Sequence, residues 1–255
     1  MADIGRLTYI SVVSKQSALI DPAPTPSRTM ARFGWLDLVI VLAVGLGLAN
    51  APVANLLARG PAALGASEMV ATSTAWLLIN GVQLLVGLAV TYRRFGAIRG
   101  PLLLHRPRLG QLGAAAGWGL GKSAITLALL IFLPTALTAD GGGEGGYPAG
   151  ALLAQFTFAF FFGSIASPVY EEVLYRGVFF QGLSARLPAV AAIVLSASVF
   201  AVMHLPRGFN TISAFVAGLL FAWLLHRHRN LWVPIVAHAV SNGTLVALAF
   251  AAQAA

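Results

Sequence analysis

Glu171, Glu172, Arg176, His204 and His238 are ionisable side chains inside or at the edges of otherwise apolar text. A charge within a membrane span costs roughly 2.5 to 3.5 kcal/mol on insertion scales, so such groups are kept where they do something. Glu172 and Arg176 are four residues apart. On a helix that spacing lets them pair directly and leaves Glu171 about 100° round the axis with its carboxylate free. A free carboxylate beside imidazoles suits general acid–base hydrolysis. Glu171 would activate a water, and His204 would orient it or exchange its proton. His238 and Asn242, four apart on one helix face, would donate hydrogen bonds to an oxyanion. The trio Glu171, His204 and His238 also matches common ligands of catalytic zinc, with water in the fourth position. No His-Glu-x-x-His stretch occurs. A Zn2+ ion would therefore be gathered from separate helices, and metal-free general-base catalysis is equally open.

The elements that must position these groups follow from composition. Of 255 residues, 58% are hydrophobic and 9% charged, with mean hydropathy +0.82. So few charges cannot cover a water-soluble surface, so most of the exterior faces lipid. Cysteine is absent, which excludes disulfides, thiolate metal sites and cysteine nucleophiles. Stretches without Asp, Glu, Lys or Arg run over Leu38–Ala58, Met69–Tyr92, Ser123–Ala139, Gly145–Tyr170, Leu187–Pro206, Gly208–Leu225 and Asn230–Ala255. About 20 helical residues cross a bilayer, and the runs are too apolar for alternating barrel strands. The sequence therefore predicts an all-α, polytopic membrane bundle of about seven transmembrane helices. Residues 1–33 are polar, contain Asp21-Pro22-Ala23-Pro24-Thr25-Pro26, and read as a flexible cytoplasmic tail without a signal peptide. Residues 34–255 form the transmembrane domain.

The net charge of +8 reflects topology rather than nucleic-acid binding. Twelve Lys and Arg residues fall in the tail and the even-numbered connections, against two in the odd ones. The N-terminus is thus expected in the cytoplasm. The scarcity of Lys against Arg points by association to a bacterial inner membrane. Leu187-Pro188 marks the turn between the fourth and fifth runs, and Glu171 and His204 each lie about 16.5 residues from it. In an antiparallel hairpin that spacing puts both groups level, roughly 25 Å from the turn.

Three motifs in order carry a resemblance. Glu171-Glu172-Val173-Leu174-Tyr175-Arg176 resembles a Glu-Glu-x-x-x-Arg motif, Phe200-Ala201-Val202-Met203-His204 a Phe-x-x-x-His motif, and His238-Ala239-Val240-Ser241-Asn242 a His-x-x-x-Asn motif. Together they resemble the intramembrane peptidases related to type II CAAX prenyl proteases and bacteriocin-processing and immunity proteins, over roughly residues 150–245. The resemblance implies an intramembrane endopeptidase acting on a membrane-associated, sometimes prenylated, protein or peptide. It casts Glu171 as general base and His204 as its partner. Glu172 and Arg176 would support them, with His238 and Asn242 stabilising the oxyanion or binding metal. The alternative is a non-catalytic scaffold or bacteriocin-immunity protein of the same family, and a third reading is a small proton-relay transporter.

Other signals weigh less. Ala116-Gly117-Trp118-Gly119-Leu120-Gly121-Lys122-Ser123 imitates a phosphate loop, but it lies in an apolar run whose small residues suit close helix packing. Lys122 is expected to snorkel or to pair with an acid such as Asp37 or Glu68. Gly141 to Gly146 reads as a flexible connection. His105, His226 and His228, among arginines, read as contacts to anionic lipid. Ser123, Ser167 and Ser241 are weak nucleophile candidates.

Overall fold

The apolar runs become helices, and no strand occurs among the described residues. The computed structural model describes residues 31–48, 51–65, 67–132, 149–205 and 208–254. The order is α1 (Trp35–Leu48), α2 (Ala51–Ala63), α3 (Glu68–Phe95), α4 (Leu109–Phe132), a composite helix α5 over residues 149–184, α6 (Ala189–Val202), α7 (Gly208–His228) and α8 (Trp232–Ala254). Within α5, Ala149–Phe161 leads into a π-helical stretch Phe162–Ala166 and an α-helical turn Ser167–Glu171. A second π-helical stretch, Glu172–Phe180, and a last turn, Gln181–Ser184, complete it. The chain is a helical membrane bundle, as its composition requires.

The count of spans differs in detail from the seven apolar runs. Val70–Phe95, Leu109–Phe132, Leu153–Ser184 and Trp232–Gln253 are long and apolar enough to cross a bilayer, and the α1–α2 pair, bent by 60°, makes a fifth candidate. Pro52 stands at the start of α2, where its missing N–H cannot extend the ladder of α1. The Leu187–Pro206 run yields a helix of only 14 residues. That is about 21 Å long at 1.5 Å per residue, short of a hydrocarbon core of about 30 Å. A charge-free run thus need not be helical from end to end.

Helix ends follow their capping residues. Ser67 Oγ accepts from the Val70 N–H at the start of α3, and Gly96, with φ of 66°, closes it in the left-handed conformation. Arg93 and Arg94 in the last turn of α3 face Asp37 of α1, with Arg93 Nη2 2.7 Å from Asp37 Oδ1. Residues 1–30 of the expected tail, and the Gly141–Gly146 connection, lie outside the described residues. Ala31 donates its N–H to Gln181 Oε1 at 2.9 Å, and Phe33 is fully buried, so packed structure begins by Ala31.

The second π-helical stretch is the centre of the bundle. All nine of its residues are buried, against α1, α3, α6 and α7. Leu77, Leu78 and Leu85 of α3, Ile131 and Phe132 of α4, and Val190 of α6 lie exposed, as lipid-facing residues must. Two interfaces close tightly on glycine. A Cβ on Gly119 of α4 would meet the Ala237 carbonyl of α8 at 2.5 Å, so the glycine-rich text around Lys122 serves helix packing. A Cβ on Gly218 of α7 would stand 2.7 Å from Ala197 Cα of α6. Gly218→Ala is therefore expected to destabilise the protein by about 1–3 kcal/mol, read as a lower unfolding temperature in detergent. An unchanged temperature would mean that α6 and α7 do not approach this closely.

Candidate active site

The site is built on the short α-helical turn Ser167–Glu171 between the two π-helical stretches of α5. π-Helical winding is rare and frequent at functional sites, and here it brackets the acidic pair. Ser167, one turn before Glu171, donates its hydroxyl to Glu171 Oε1, and Tyr170 Oη donates to the same oxygen at 3.2 Å. Two donors on one oxygen fix the carboxyl and leave Oε2 directed elsewhere. That second oxygen lies 3.9 Å from His238 Nε2, too long for a hydrogen bond.

Glu172 and Arg176 pair as their spacing predicts. Arg176 Nη1 lies 3.1 Å from Glu172 Oε1, and both side chains are wholly buried. The guanidinium stacks on aromatic faces, 4.2 Å from the centroid of Phe200 and 5.5 Å from that of Phe221. Beside this cation Glu172 is an acceptor, and His238 Nδ1 approaches the same Oε1 at 2.9 Å. The proton on that bond therefore belongs to His238 Nδ1. Its ring is further held by stacking on Phe221, with centroids 4.6 Å apart. Nε2 then carries a lone pair, held towards Glu171. The oxyanion-donor role expected of His238 does not follow from this arrangement, because the neutral ring offers an acceptor there and becomes a donor only after taking a proton.

His204 stands just past the end of α6. Its Nδ1–H donates to the Phe200 carbonyl at 2.8 Å, which leaves Nε2 as a second imidazole lone pair. Asn242 of α8 donates Nδ2–H to the Gly163 carbonyl at 2.8 Å, in the first π-helical stretch. One amide N–H of Asn242 remains for another acceptor.

Glu171, His204, His238 and Asn242 line a single cavity of about 890 Å³. Glu172 and Arg176 stand behind its wall, reached through His238. The bundle thus brings the sequence-selected residues together, four on the cavity and two behind it. Tyr170, Ser167 and Lys122 also line it; sequence reasoning raised Ser167 only as a weak nucleophile candidate and gave Tyr170 and Lys122 no part in the site. Ser167 has a legible signal, since a hydroxyl four residues before a carboxylate shares its helix face. Lys122 has a stronger one, being an intramembrane charge. It does not pair with Asp37, which Arg93 and Arg94 occupy at the end of α3. Ser123 Oγ donates to the Ser241 carbonyl at 3.1 Å, tying α4 to α8.

The zinc expectation meets a geometric test. Among the described residues no three His, Asp or Glu side chains converge tightly enough to hold a metal ion. Glu171, His204 and His238 therefore do not fit a three-ligand zinc site in this arrangement.

The chain is a helical membrane protein with a carboxylate and two imidazoles on one cavity. Residues 153–244 match the model of the family described as Type II CAAX prenyl endopeptidase Rce1-like. Over that segment the chain is similar to the CAAX family of intramembrane peptidases. It is 31% identical over 84 residues to a protein of Bacillus subtilis (strain 168) named "Putative membrane peptidase YdiL". That alignment covers 32% of this chain and 34% of the relative, about a third of its length. No solved structure matched.

Proposed function

We propose that the protein is an intramembrane endopeptidase that hydrolyses a peptide bond of a membrane-associated protein or peptide, one class of candidates being prenylated. The observation that carries this reading is the pairing of Glu171 Oε2 with His238 Nε2 at 3.9 Å on the wall of the cavity. The two are too far apart to bond each other and close enough for one water to touch both. Glu171 takes the proton of that water as it attacks the scissile carbonyl, while the lone pair of His238 holds its other hydrogen. The free amide N–H of Asn242 receives the developing oxyanion. His204, with Nδ1 tied to a carbonyl and Nε2 open, relays the proton from Glu171 to the leaving amine. Glu172 fixes the tautomer of His238, and Arg176 holds Glu172 in place by pairing with its Oε1.

The protein is placed by this reading in a bacterial inner membrane, N-terminus in the cytoplasm, with lipid and a membrane-associated substrate as its partners. The test compares new protein N-termini in membranes from cells expressing wild type and Glu171→Ala at equal abundance. Termini that appear only with wild type, and that purified protein reproduces, are expected. Their absence under conditions where the protein is needed would overturn the peptidase reading in favour of a scaffold or immunity role.

A further inference from the structure

Two buried amides of α3 have unmet hydrogen-bonding capacity beside the acidic pair. Gln83 is wholly buried, and neither its Oε1 nor its Nε2 has a hydrogen-bond partner among the described residues. Asn80, one turn earlier on the same helix face, is buried on the cavity wall, and its Oδ1 also has no partner among those residues. A buried amide that bonds nothing is costly, so nearly every such group in a folded protein meets a protein partner or an ordered water.

The packing of α3 on α5 fixes where these amides lie. A Cβ on Gly87 would stand 3.0 Å from Val173 Cγ1 and 3.1 Å from Leu174 Cδ2. The two helices run in the same direction, since Arg93 at the end of α3 and Gly182 near the end of α5 both meet the start of α1, at Asp37 and Leu38. Gln83, one turn before Gly87, is therefore level with Val169 and Tyr170, and Asn80 with Ser167. α3 packs directly on that Ser167–Glu171 turn. Ser167, Tyr170 and Glu171 line the cavity that Asn80 also lines, whereas Leu127, Phe158 and Phe162 give it an apolar wall. A peptide seated on that wall displaces mobile solvent, yet each cleaved bond consumes one water molecule. A water with two to four fixed polar partners stays in place when mobile solvent leaves. The Gln83 amide alone offers two donors and two lone pairs.

We infer that Asn80 and Gln83 form an internal water site behind the Ser167–Glu171 turn, which stores hydrolytic water and supplies it to the position between Glu171 and His238. Both are positioning residues, acting through the water they hold. The inference rests on the peptidase reading for its purpose and on the two unpartnered amides for the site itself.

The test has two arms, both on the full-length protein. An experimental map of wild type fine enough to show single waters is expected to place a water on the Gln83 amide. A Gln83 side chain that touches no water would overturn the inference, whatever the protein cleaves. The second arm measures cleavage of a peptide identified from the N-terminal comparison by Gln83→Met, which keeps the side chain's length without its hydrogen bonding, and by Gln83→Asn, which keeps the amide. Gln83→Met is expected to lower kcat by about tenfold with KM and unfolding temperature little changed, and Gln83→Asn to retain most of the rate. An amide that only fills space predicts wild-type kcat in Gln83→Met, and that result would overturn the inference. If Gln83→Met does not fold, the map of wild type decides. A hydrated Gln83 in a protein that cleaves nothing would count against the peptidase reading and not against the water site, so the two failures are distinguishable.

Discussion

Glu171→Gln is expected to lower peptide hydrolysis by about 10²–10⁴-fold while leaving the bundle folded, since it removes a proton-transfer group and little else. The substitution keeps the length and planarity of the side chain. Ser167 and Tyr170 can still donate to its remaining carbonyl oxygen, as they do to Oε1 of the carboxylate. What changes is the atom next to His238 Nε2, where a carboxylate oxygen now lies 3.9 Å away. An amide nitrogen there donates rather than accepts, so the water loses its base and faces a competing donor for the imidazole lone pair. The measurement is the rate of cleavage of a peptide identified from the N-terminal comparison, alongside the unfolding temperature. A large fall in rate with little change in stability is expected. Full activity in Glu171→Gln would remove Glu171 from the chemistry.

The residues that gather at the candidate site were largely legible in the sequence, and their fine geometry was not. Intramembrane charge picked out Glu171, Glu172, Arg176, His204 and His238 because hydrocarbon leaves such residues few other reasons to be there. The i,i+4 rule gave the Glu172–Arg176 pair, which forms at 3.1 Å. The turn at Leu187-Pro188 brought Glu171 and His204 to one cavity, as equal distances from a hairpin turn require. Charge-free runs exposed the bundle but misjudged element length. α6 ends at Val202 because nothing in a hydropathy run records where a helix stops. The π-helical winding around Glu171 was invisible, since it depends on packing of α5 against four neighbours rather than on residue type. The same holds for the tautomer of His238, which depends on a carboxylate 66 residues away. Lys122 was legible by the rule that found the other charges, but a resemblance to a phosphate loop drew the reading to its glycines.

Glu172→Ala and Arg176→Ala are each expected to cost about 3–5 kcal/mol of stability, the penalty for leaving one buried charge without its partner. Arg176 is wholly buried, and none of its guanidinium nitrogens forms a hydrogen bond among the described residues; ion contact with Glu172 and stacking on Phe200 and Phe221 hold it. Without Glu172 the cation has only the aromatic faces near it. Without Arg176 the carboxylate has His238 Nδ1 alone, and its Oε2 is already buried without a hydrogen-bond partner. Replacing both charges with apolar residues of similar volume, as in a Glu172→Leu/Arg176→Met double variant, is expected to recover much of the lost stability, because no buried charge is stranded. Activity is expected to stay lost in the double variant. His238 Nδ1 would have no acceptor there, so nothing would hold the lone pair of Nε2 towards Glu171. Unfolding temperature and hydrolysis, measured on the two single variants and the double, separate these roles. Stability unchanged in both single variants would mean that Glu172 and Arg176 are not a buried pair. Activity returning with stability in the double variant would mean that the pair holds the fold but does not orient His238.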